Sequence, residues 1–112
     1  MAAITASARR GDIFLVNLDP VIGHEAAKIR PCVVISPDEL NRKAGTVVMA
    51  PCTTVRKSYA SRVSCTILGQ TSYAMLDQIR TFSYLRLIST AGKLPEAELR
   101  LILDRLQEMF AI

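Results

Sequence analysis

The chain contains no tryptophan, and aromatic residues make up 5% of it. Recognition through an extended stack of rings is therefore not expected. There is one histidine, His24, so a triad built on imidazole has one possible centre. GxSxG, Walker, HExxH and CxxC patterns are absent. Cysteines number three, an odd count, and no pair of them has metal-ligand spacing. Cys32, Cys52 and Cys65 read as reduced, half-buried thiols acting as small hydrophobes. Neither a metal nor a cofactor is called for. No apolar run is long enough to span a membrane. The N-terminus places Arg9 and Arg10 after a run of small residues, the wrong order for a secretory signal. It reads as a flexible tail, residues 1–9, on a cytoplasmic protein.

What is present is a small basic domain. The chain has 112 residues, half of them hydrophobic, and a formal charge of +4. That suits one domain, residues 10–112, with a real core. The charge fits a polyanion or an acidic protein partner. Strands are expected at residues 11–18, 31–36, 46–52, 62–68 and 72–81, with a last short one within 85–92. The strand at 72–81 carries an inset polar triplet. Ser36-Pro37-Asp38-Glu39 reads as a helix start, with Ser36 capping, Pro37 in the first turn and Glu39 closing a capping box. At the end of the chain the period changes. Leu99, Ile102, Leu103, Leu106, Met109 and Phe110 lie along one helical face, expected to be buried on the sheet. Five or six short strands with a C-terminal helix suggest a strongly bent sheet or small barrel, mainly β within an α+β class.

Chemistry is sought where polar residues interrupt apolar strands. Two places stand out. In Gly23-His24-Glu25-Ala26-Ala27-Lys28-Ile29-Arg30-Pro31 an arginine abuts the proline that opens a strand. Proline pushes that arginine toward extended backbone and holds it near the sheet. It could act on a ligand, or pair with Glu25 for structure alone. In Ala50-Pro51-Cys52-Thr53-Thr54 two hydroxyls close a strand, for function or for turn hydrogen bonds.

At these residues the chain resembles the MazF/PemK family of toxin–antitoxin ribonucleases. The matching words are RGDIFLVNLDPVIGHE (10–25), RPCVVISPDELNR (30–42), TVVMAPCTT (46–54), LDQIRT (76–81) and the GKL-plus-helix ending (92–106). Each is weak alone; five in family order are a strong signal. The resemblance implies an SH3-like barrel with a C-terminal helix, of the type shared by MazF, CcdB and PemK, and a homodimer. It implies an endoribonuclease that cuts single-stranded RNA at short sequences without a metal and so blocks translation. The RNA's own 2′-hydroxyl would attack, leaving 2′,3′-cyclic phosphate and 5′-hydroxyl ends. The catalytic arginine and threonine of the pattern map to Arg30 and Thr53. A fixed guanidinium and a hydroxyl suit the charge that grows on a phosphorane. Glu25 matches a recurring family residue. It could orient Arg30, contact RNA or act as base, and the first is preferred.

His24 could serve RNA binding or proton transfer, or be a solvated loop residue. Lys28, Arg56 and Lys57 are the loop cations assigned to an RNA groove. Gln78 would read a base edge or brace the loops. Ala26 and Ala27 stand where family members usually carry Gln and Gly. Alanine tolerates positive φ poorly, so this loop is expected to follow its own path. Dimerisation is also expected from strands that are apolar on both faces, which one helix cannot cover. The remaining partner implied is a cognate antitoxin whose acidic, flexible tail lies over the groove. A gyrase-binding toxin of the CcdB type is the alternative; it shares the barrel and lacks the Arg–Thr pairing.

Overall fold

A computed structural model describes residues 7–112 of the chain. The strands are β1 (Asp12–Asn17), β2 (Ile29–Val34), β3 (Thr46–Thr53), β4 (Arg62–Ile67), β5 (Gln70–Met75), β6 (Arg80–Ser83) and β7 (Leu87–Lys93). Two helices join them, α1 (Asp38–Lys43) and α2 (Glu96–Met109). The order across the sheet is β4-β5-β3-β2-β1-β7, with β6 beside β3. All pairs are antiparallel.

The curl of the sheet comes from β3. Its first half, Thr46 to Met49, lies opposite β6, while Cys52 and Thr53 lie opposite Ala74 and Tyr73 of β5. Its other edge pairs with β2 from Met49 to Pro51. One strand thus serves two sheets, as a corner strand does.

The single strand expected over residues 72–81 is in fact two. β5 ends at Met75, Leu76–Gln78 forms a 3-10 turn, and β6 restarts at Arg80. Leu76 is buried, and its N–H donates to the Ser61 carbonyl at 2.9 Å. Asp77 and Gln78 are turned toward other partners, described below. Among the described residues the strand count is seven for that reason.

The capping box does not form. Pro37 occupies the cap of α1 and no side chain caps it. Ser36 turns inward instead. Its hydroxyl donates to Asn41 Oδ1 and accepts the Val48 N–H at 3.0 Å. Asn41, 1% exposed, donates through Nδ2 to the carbonyls of Ala8 and Ser36. Glu39 pairs with Lys43 on the surface. A buried amide left unpaired is costly, so this small network takes both polar groups away from the helix end.

The same network moves the start of the domain. Ala8 is buried, and its N–H donates to the Tyr84 hydroxyl at 3.3 Å. The Arg9 N–H donates to Asp12. Residues 8 and 9, expected in the tail, therefore belong to the fold. Of the rest of that expectation, Ser7 is exposed and residues 1–6 lie outside the described residues.

Alternation along the strands builds two cores, one on each face. Ile13, Val33, Ala50 and Cys52 point to the face that α2 covers, through Ile102. Phe14, Val16, Cys32, Val34, Val47 and Met49 point to the other, with Phe82 and Leu87. Both faces of β2 and β3 are thus covered within one chain, because β6 and the start of the domain close the second face. The argument for a dimer from uncovered strand faces does not hold. Exposed large hydrophobics lie outside those paired runs, at Ile22, Leu85 and Phe110, and at Ile29, the first residue of β2.

On α2 the apolar stripe is only partly buried. Ile102 is fully buried, and Leu99 and Leu106 pack at the rim of the core. Met109 and Phe110 are exposed, at 37% and 71%. The helix runs past the core cluster, whose last helical member is Leu106. Glu98 ties the other end down, accepting from the Thr66 N–H at 2.7 Å and the Thr66 hydroxyl at 2.8 Å.

Candidate active site

Arg30 and Thr53 meet where β2 and β3 part. Cys32 and Pro51 are the last pair of the β2–β3 register, and Arg30 and Thr53 lie two residues beyond it, one on each strand. Pro31 lacks the N–H that would face β3, and the β2–β3 ladder ends beside it, at Cys32 opposite Pro51. β3 then turns to β5, and a cleft opens beside β2. Arg30 and Thr53 line the same two cavities there. One, of about 270 Å³, also includes Lys28 and Ser72. The other, of about 530 Å³, includes His24, Glu25, Lys57, Tyr59 and Gln78.

Each is held by one bond and left with donors to spare. Arg30 Nε donates to the Ala27 carbonyl at 3.0 Å. Its two terminal nitrogens have no partner among the described residues. Thr53 is 8% exposed, and its Oγ1 accepts the Val55 N–H at 3.1 Å. That turn bond uses a lone pair, so the hydroxyl proton remains free to donate. Turn formation and donor presentation thus coexist at Thr53.

Glu25 does not orient Arg30, contrary to expectation. Its Oε1 accepts the Ile22 N–H at 2.8 Å, closing its own loop, while the Ala27 carbonyl holds the arginine. The purely structural Glu25–Arg30 pair is absent as well. Glu25 and His24 are exposed and line the larger cavity. Gln78 braces the loop: its Oε1 accepts the Ala26 N–H. Among the expected cations, Lys28 and Lys57 face the cavities and Arg56 lines neither. The loop takes its left-handed step at Lys28, φ 67°, and not at Ala26 or Ala27. Such a conformation strains a non-glycine residue. The Lys28 N–H bonds Asp19 Oδ1 at 3.0 Å and its carbonyl accepts from Leu18 at 2.9 Å, which hold it in place.

Several neighbours were not singled out in the sequence. Arg62 Nε donates to Asp77 Oδ1 at 2.8 Å and Nη2 to Oδ2 at 3.1 Å, and Ser61 adds a third bond. The Arg62 guanidinium beside Asp77 holds that carboxyl below its ordinary value. Asp77 sits in the LDQIRT word and could have been found there. Arg62 looked like one more outward-facing polar position of an alternating strand. Arg80 lines a further cavity of about 430 Å³ with His24, Glu25 and Gln78, its guanidinium 4.7 Å from the Phe82 ring centre.

The cysteines lie beneath the site, Cys52 against the smaller cavity. All are buried and free. Burial pushes the Cys32 thiol up to about 12, against the pull of the Arg30 and Arg80 guanidiniums. Contact with Cys65, together with burial, pushes Cys52 up as well. Thiolate is the nucleophilic form, and these two sites withhold it.

The family described as PemK-like, MazF-like toxin of type II toxin–antitoxin systems matches residues 9–110. The chain belongs to the PemK/MazF toxin family. The endoribonuclease toxin MazF of Escherichia coli K12 is 36% identical over 93 residues, 82% of this chain and 84% of that protein. Endoribonuclease MazF9 of Mycobacterium tuberculosis is 37% identical over 101 residues, covering 81% and 86% of the two chains. The crystal structure of MazF from Deinococcus radiodurans matches with a TM-score of 0.83 at 24% identity, over 96% of this chain and 99% of that one. A mycobacterial endoribonuclease in complex with its cognate antitoxin matches with a TM-score of 0.80 at 21% identity, over 95% and 97%. These structural likenesses establish the fold, a curled antiparallel sheet with a C-terminal helix. The Ala26-Ala27 loop pinned by Gln78 and the Arg62–Asp77 fork form part of the cleft wall.

Proposed function

We propose that this endoribonuclease toxin cuts single-stranded RNA by directing the RNA's 2′-hydroxyl onto the adjacent phosphate, without a metal. The observation that carries the reading is the shared cleft of Arg30 and Thr53, each with unused donors. A phosphorane gathers charge on its non-bridging oxygens as the 2′-oxygen attacks. The two free nitrogens of Arg30 can grip those oxygens together, and the Thr53 O–H can add a third bond. Such preorganised donors supply roughly 3–4 kcal/mol each. With the RNA as its own nucleophile, the protein needs none, which agrees with Cys32 and Cys52 held as thiols beside the cleft strands.

Glu25 accepts the 2′-hydroxyl proton in this reading. One of its oxygens is occupied by Ile22, and the other is free to face the cleft. His24, Lys28 and Lys57 contact the RNA strand around the reacting phosphate. Arg56, outside the cavities, meets RNA only where the strand leaves the cleft. Gln78 has spent its carbonyl on Ala26, so its amino group is what it can offer a base edge. The protein works in the cytoplasm as a homodimer and is restrained by a cognate antitoxin with an acidic tail. The exposed apolar side chains Ile22, Ile29 and Leu85 are surface that a second copy would cover.

Incubating the purified protein with a mixed RNA pool in EDTA, then mapping the new ends, tests this. Products with 2′,3′-cyclic phosphate and 5′-hydroxyl ends are expected. Ends bearing 3′-hydroxyl and 5′-phosphate, or dependence on added metal, would refute it.

A further inference from the structure

We propose that Tyr59 is a stacking platform for one unpaired base of the RNA, set in place by Arg62. This rests on the reading of the cleft as a single-stranded RNA site. Tyr59 lines the same cavity of about 530 Å³ as Arg30 and Thr53. It is 53% exposed, and its hydroxyl has no hydrogen-bond partner among the described residues. The ring is therefore not spent on holding the fold together. Its position is nevertheless fixed. The Tyr59 carbonyl accepts the Arg62 N–H at 3.0 Å, and the Arg62 guanidinium lies 5.1 Å from the ring centre. That guanidinium cannot swing away, because both oxygens of Asp77 hold it. The Arg62 side chain is 7% exposed.

The second cation near the ring differs. Lys57 Nζ is 5.7 Å from the ring centre, on a flexible stem, with no ion-pair partner among the described residues. A base that stacks on the ring brings a phosphate with it. The ammonium can move from the ring to that phosphate without leaving a charge unpaired. Ring, fixed guanidinium and mobile ammonium together match one nucleotide, by π-face and by charge. Stacking of this kind tolerates any base, so Tyr59 raises affinity for an unpaired strand without selecting the sequence.

The test measures binding of full-length protein to a single-stranded RNA carrying 2′-O-methyl ribose at each position, so that no 2′-hydroxyl can attack and nothing is cut. Tyr59→Ala is expected to weaken binding about tenfold to hundredfold, the usual worth of one base stacked on an aromatic ring. Tyr59→Phe keeps the ring and should bind within about threefold of the parent. On cleavable RNA the alanine variant should lose mainly in KM. One abasic nucleotide, scanned along the strand, should at a single position erase the difference between the parent and Tyr59→Ala. Equal binding by Tyr59→Ala, or a loss that persists at every abasic position, overturns the proposal. Failure of the parent to cut any RNA would instead sink the nuclease reading, and these affinities would still report on the ring.

Discussion

At Asp77 one carboxylate answers three donors, from Ser61 and the two nitrogens of Arg62. The neighbouring guanidinium lowers its pKa below the ordinary value of 3.8. A carboxyl depressed on folding stabilises the protein above its unfolded pKa. That contribution disappears as pH falls through the lower, folded value. The Asp77 side chain is 34% exposed, so screening limits the pair to about 1 kcal/mol at neutral pH. Asp77→Asn should therefore lower the urea midpoint at pH 7 and hardly change it near pH 2. Equal shifts at both pH values would contradict the assignment. Arg30 and Thr53 were legible as candidates because one abuts a strand-opening proline, the other closes a strand with a hydroxyl, and both fall in words that resemble the family. That Ala27 and not Glu25 holds Arg30 was not, because a bond to a backbone carbonyl leaves no mark on residue identity. Ser36 likewise looked like a cap. Its inward turn depends on Val48 and Asn41, which sequence cannot place beside it.

Among the elements, α2 ties the first core together. Ile102 is fully exposed to water in the unfolded chain and wholly buried on the sheet, worth about 1.5–3 kcal/mol by transfer alone. Ile102→Ala adds a cavity beneath the helix and should cost about 2–5 kcal/mol in chemical unfolding. Phe110→Ala, at a position 71% exposed, should cost well under 1 kcal/mol in the isolated chain. Equal losses would mean the helix sits differently on the sheet. The period of 3.6 was legible and so was the helix. How far the stripe stays buried was not, because that depends on where the sheet ends. The division of residues 72–81 into β5 and β6 was hidden for a related reason. No glycine or proline breaks the run; the turn exists because Leu76 is drawn into the core and bonded to Ser61.

On the scale of the whole molecule, the cleft is a consequence of how the sheet curls. β3 leaves β2 at a pair of prolines and joins β5, and the gap between those strands is where the loop carrying Glu25 folds over. A net charge of +4 on so small a domain favours the approach of a polyanion to that gap. The class of fold and the two central side chains could be anticipated; the covering of both sheet faces by a single chain could not, since it is made by elements far apart in sequence. The claim that carries most is that Arg30 and Thr53 act on one phosphate together. Single-turnover cleavage rates for the parent, Arg30→Ala, Thr53→Val and the double variant test it most directly, with circular dichroism to verify the fold. Losses of about a hundredfold to a thousandfold are expected for each single variant. The double variant should fall by much less than the product of the two, as residues acting as a unit do. Single variants that cut within about threefold of the parent, or losses that multiply as if independent, would contradict the account.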